Sequence, residues 1–129
     1  MIKKISLLLE ELKKNNSNTP NTIPVPFGLF GIECEAGWYP LLIPILEYVV
    51  KYNSEHEDSK ISITQIKEKY GELRVYVDHG TSELFDMIED ATDKSLEICE
   101  VCGKPGKLRD IRGWLYTRCD ECAKKLLWK

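Results

Sequence analysis

The spacing of hydrophobic positions changes along this chain, and each change predicts a different element. In residues 1–15, Ile2, Ile5, Leu8, Leu9 and Leu12 recur at intervals of three and four, with Lys3, Lys4, Glu10 and Glu11 between them. That pattern predicts an amphipathic helix. Residues 16–30 carry Asn, Ser, Thr and Pro and read as a linker, which Pro24 and Pro26 keep extended. Gly31 to Gly37 reads as a short strand and turn. From Trp38 to Tyr52, Leu42, Ile45, Leu46, Val49 and Val50 form one helical stripe. Pro40 suits a first helical turn, whereas Pro44 predicts either a later start near residue 43 or a kink. Asn53 to Lys60 reads as a polar surface loop.

The period then falls to two. Ile61 and Ile63 alternate with Ser62 and Thr64, and Leu73, Val75 and Val77 alternate with Arg74, Tyr76 and Asp78. This predicts a β-hairpin turning at Tyr70-Gly71-Glu72, and the parity slip at Gln65-Ile66 predicts a bulge. Thr81 or Ser82 caps a further helix, with Leu84, Ile88, Ala91 and Ser95 as its stripe up to Ile98. Two short strands follow around Arg112-Gly113, and the chain closes on a helical turn after Cys122. The expectation is an α+β fold: helices on a small sheet built around a hairpin, then a C-terminal zinc-ribbon or treble-clef module. The boundaries are 1–15, 16–30, 31–98 for the α+β core and 99–129 for the zinc module.

Composition narrows the class. The 129 residues are 43% hydrophobic and 30% charged, with 3 Trp, 6 Tyr and 3 Phe, so they can build one core. The longest apolar run, Ala36 to Leu46, is too short to span a membrane, and Glu10 and Glu11 interrupt what faintly mimics a signal peptide. The expected location is the cytoplasm. Net charge is −3, but residues 1–98 hold a balance of −7 and residues 99–129 a balance of +4. Four thiolates and one divalent ion would lower the tail to +2.

The cysteines carry the one strong motif. Cys99-Glu-Val-Cys102 and Cys119-Asp-Glu-Cys122 are separated by sixteen residues, a spacing that suits four-thiolate zinc. A segment of about 30 residues needs such a staple to fold. Redox chemistry or disulfides fit two symmetric pairs less well, and four thiolates leave no open position for catalysis. Cys34, the fifth cysteine, reads as a small buried hydrophobe. His56, and the pair Asp78-His79, read as loop residues. Glu33 and Glu35 share a face if Cys34 lies in a strand.

Trp114, Tyr116 and Arg118 alternate on one strand, with Lys107, Arg109 and Arg112 nearby, so they are candidates for stacking bases or docking a protein. The bland alternative is that the aromatics only cover the zinc site. Lys67, Lys69 and Arg74 add cations around the hairpin, interleaved with Glu68 and Glu72. No phosphate loop, dinucleotide fingerprint, nucleophile elbow or HExxH segment is present. No small-molecule substrate is indicated.

Four segments together carry a resemblance: Gly37-Trp-Tyr-Pro-Leu41, Ile66-Lys-Glu-Lys-Tyr-Gly-Glu-Leu-Arg-Val-Tyr76, Ile98 to Arg109, and Gly113 to Cys122. Over residues 31–123 the chain resembles small bacterial, phage and prophage proteins that end in a four-cysteine zinc ribbon. The leading expectation from the residues is a non-enzymatic accessory protein that presents the hairpin and the zinc module to a macromolecular partner. The resemblance implies that this partner is a host protein, for instance a defence nuclease or CRISPR effector under inhibition. The other expectation is a nucleic-acid-binding regulator that uses the basic zinc module.

Overall fold

The structure, a computed structural model, describes residues 5–8, 10–11 and 32–127. The described N-terminal residues are helical. Ile5 is buried in the core, Leu8 packs against it, and Leu7 faces outward, as an amphipathic repeat requires. Ile2, Leu9, Leu12 and the expected linker lie outside the described residues.

Strand β1 (Ile32–Glu33) leads through a 3₁₀ turn (Ala36–Trp38) into helix α1 (Tyr39–Glu55). Strands β2 (Ser62–Lys69) and β3 (Glu72–Asp78) form the predicted hairpin, and helix α2 (Ser82–Ser95) follows. A second hairpin, β4 (Lys107–Ile111) and β5 (Trp114–Arg118), precedes the short helix α3 (Asp120–Leu127). The fold is α+β.

Sheet order is β1-β2-β3, with β1 parallel and β3 antiparallel to β2. Ile63, Ile66, Leu73 and Val75 turn one face of it into the core. Leu42, Ile45, Leu46 and Val49 of α1 meet them there, with Leu84 and Ala91 of α2. Burying side chains of this size contributes roughly 1.5–3 kcal/mol each, which makes this layer the main source of stability.

Several expectations change in detail. Helix α1 starts at Tyr39 and runs through Pro44. The ring sits on the exposed side, and the Pro40 carbonyl that loses its donor is also on the exposed side, where water can satisfy it. The bulge lies between Ile63 and Gln65, slightly earlier than the sequence parity predicts. The extended segment near Cys34 shrinks to two residues, and α2 ends at Ser95. Asn53 is not in a surface loop: it closes α1 fully buried. Its amide donates to the Ile61 carbonyl at 2.9 Å and accepts the Ile61 N–H at 2.7 Å, so one side chain satisfies the strand that follows.

Candidate metal centre

Each cysteine pair is held by a different local device. In the first, the Cys99 carbonyl accepts the Gly103 N–H at 3.0 Å, and the Cys99 N–H donates to the Lys104 carbonyl at 2.7 Å. Gly103 has φ of +80°, which a side chain would resist, so the glycine after Cys102 closes the knuckle. In the second, Cys119 follows β5 and Cys122 sits in the first turn of α3. The Ala123 N–H bonds back to the Cys119 carbonyl at 2.9 Å. Arg109 binds the two halves: its Nε donates to the Arg118 carbonyl at 2.9 Å and its guanidinium pairs with Asp120 at 2.6 Å.

These devices bring the four Sγ atoms within 4.8 Å of one another, with Cys102 and Cys119 at 3.6 Å. All four are free thiols. A tetrahedron with arms of about 2.3 Å has edges of about 3.8 Å, so the group is placed to hold a metal ion after a small contraction. Burial pushes the Cys99 thiol up, but N–H donors from Cys102, Cys119 and Val101 outweigh it and bring the thiol down to about 6. Cys122 is pushed up to about 12, by burial and then by the thiols of Cys119, Cys99 and Cys102. The four thiols therefore hold their protons unequally, and a divalent ion binding among them would displace the protons that remain.

The centre is anchored to the α+β core. The Gly37 N–H donates to the Glu100 carbonyl at 2.7 Å, and a side chain at Gly37 would strike the Cys99 and Glu100 carbonyls. Fully buried Trp38 donates its indole N–H to the Ile98 carbonyl at 2.8 Å. Thr117, also fully buried, donates to the Gly71 carbonyl at 2.5 Å.

The β4–β5 register pairs Lys107 with Arg118, Arg109 with Tyr116 and Ile111 with Trp114, placing all six on one face. Trp114 is 71% exposed, so it does not cover the metal centre. Tyr116 is half-buried, with the Arg118 guanidinium 5.1 Å from its ring centre. Arg112 occupies the turn with φ of +56°. Lys67 and Arg74 face each other across β2–β3, on the side opposite buried Ile66 and Leu73. Lys69 reaches over the Tyr70 ring. These three cations therefore belong to the other sheet.

Of the weaker candidates, His56 stacks on Tyr52 at 3.8 Å, and His79 is an exposed residue with φ of +61° at the end of β3. Cys34 is half-buried, and burial, followed by the charge of Glu100, pushes its thiol up to about 12. A thiol held in its neutral form is a poor nucleophile.

Sequence reasoning missed Glu100, a carboxylate buried inside the first CxxC turn. It accepts the Glu35 N–H at 3.1 Å, while its own N–H donates to the Thr117 carbonyl at 3.0 Å. No spacing rule marks it, because its partners lie 65 and 17 residues away. Comparison with protein-family models, curated proteins and solved structures yields no match for this chain.

Proposed function

We propose that this chain is a non-enzymatic zinc protein that acts by binding a macromolecular partner, a protein in preference to a nucleic acid. The observation that carries the reading is the convergence of four thiols within 4.8 Å. An all-thiolate tetrahedral set is characteristic of structural zinc and leaves no position for a reacting water. The ion then serves to hold β4–β5 and α3 in place. Partner binding is supported by Trp114, whose 71% exposure is unusual for so large an aromatic, and by Tyr116 and Arg118 beside it. In its narrowest form the proposal is inhibition of a host defence protein such as a nuclease or CRISPR effector, which the resemblance to phage proteins supports.

The regulator reading draws on the cations of the same face. Arg109 is already engaged by Asp120, and Arg118 lies over Tyr116, so few cations remain for phosphates. Metal analysis of the purified chain should return one zinc per molecule. DNA and RNA binding should be weak and vanish at moderate salt, because each neutralised phosphate makes the affinity fall with ionic strength. A metal-free folded module, or disulfides at these cysteines, would remove the zinc reading. Tight, salt-resistant nucleic-acid binding would put the regulator reading first.

A further inference from the structure

The two faces of the β4–β5 hairpin differ in what they carry. On one side, fully buried Thr117 bonds to Gly71, and Leu108, itself 46% exposed, lies where a side chain at Gly71 would have to go. The opposite side carries Trp114, Tyr116 and Ile111 among Lys107, Arg109 and Arg118. Tyr116 and Arg118 also line a recess of about 340 Å³, where β1, the first hairpin and the metal module meet. Its other polar walls are Glu33, Glu35, Glu68 and Glu100. Among the described residues, no Lys or Arg nitrogen comes within 4.0 Å of any of these four carboxylates. The Arg118 Nε–H is buried with no acceptor among the described residues.

Resting on the partner-binding reading, we infer that this face docks a protein segment that lays an apolar side chain on Trp114 and sends a lysine or arginine into the adjoining recess. Charge complementarity selects that occupant. A phosphodiester strand running along the cations would meet four carboxylates at Tyr116 and Arg118, and like charge rejects it. A protein segment can carry both signs a few residues apart. Its basic side chain gains carboxylate partners in a half-buried site, and a backbone or carboxylate oxygen can accept the Arg118 Nε–H. Trp, Tyr and Arg on one strand are also the residue types that dominate binding energy at protein interfaces.

The test uses the zinc-loaded full chain as bait for a random-peptide display library, with a fluorescent single-stranded oligothymidylate as the second probe. Enriched peptides should carry Arg or Lys within a few residues of an aromatic or aliphatic anchor. Trp114→Ala should weaken them about tenfold or more, and Glu33→Lys about fivefold or more. Both changes are at the surface, and metal content with circular dichroism verifies that the variants are folded. Peptides whose binding survives both substitutions would overturn this docking face while leaving the partner-binding reading intact. Failure to enrich any peptide, or tight oligothymidylate binding that Lys107→Ala abolishes, would overturn both.

Discussion

Cys34 shows how position alone can silence a reactive residue. Its thiol holds the proton up to about 12, against an ordinary value of 9.0, so the folded state favours the neutral form. The stability this contributes is fully present below about pH 9 and is lost as pH rises toward 12, where the unfolded chain releases the proton first. Urea melts of the wild type should therefore weaken more steeply over that window than melts of Cys34→Ala. Parallel curves would show that the thiol titrates freely. Asn53 is the polar counterpart. Both of its hydrogen bonds go to Ile61, so Asn53→Ala leaves a buried N–H and a buried C=O unsatisfied. The expected cost is about 2–4 kcal/mol, read from the shift in denaturation midpoint. The sequence marks Asn53 only as a polar residue after a helical stripe, since the strand it serves begins nine residues later.

Elements here are tied to one another by hydroxyls at their ends. Thr81 caps α2 by accepting the Leu84 N–H at 3.0 Å, and it shares a 2.7 Å hydrogen bond with the Tyr48 hydroxyl of α1. Ser95 and Thr92, in the last turn of the same helix, bind the N–H and the carbonyl of Leu73 on the outer edge of β3. That arrangement satisfies the outward backbone groups of Leu73 on an edge strand, where open groups can pair with other chains. Thr81→Ala should cost about 1–2 kcal/mol, and Thr81→Ser should recover most of it because the cap and the Tyr48 bond both survive. Thermal melts of the two variants measure the difference. The cap was readable from sequence, because a hydroxyl preceding an acidic first turn is a local signal. The roles of Ser95 and Thr92 were not, because β3 approaches them only in the packed fold.

At the scale of the whole molecule, the metal module and the α+β core share a boundary through Gly37, Trp38 and Glu100. The Trp38 indole binds the carbonyl of Ile98, immediately before the first cysteine. If the cluster holds zinc as proposed, metal removal should be felt beyond the module, since metal binding is folding free energy for a segment this small. Treatment with a strong chelator, or Cys119→Ser, should remove amide protection across residues 99–127. It should also expose the Trp38 indole N–H to exchange, while the central turns of α1 and the β2–β3 ladder keep theirs. A Trp38 indole that stays protected in fully metal-free protein would show that the two parts are energetically independent.

By itself the sequence determined the helix and strand periods, the hairpin turn near Gly71, a hydroxyl cap at Thr81 or Ser82 and the four cysteines as one site. These depend on neighbours within a few residues or on a spacing rule set by metal geometry. It also placed Trp114, Tyr116 and Arg118 on one face, because strand alternation is a local property. Tertiary structure alone decided that Trp114 is left uncovered and that Arg109 is an internal tie. It also decided that Glu33, Glu35, Glu68 and Glu100 converge on one recess. Those outcomes depend on contacts between segments dozens of residues apart. Their energies are set by burial and by which charges the packed chain brings together, and neither quantity is carried by any local pattern of residues.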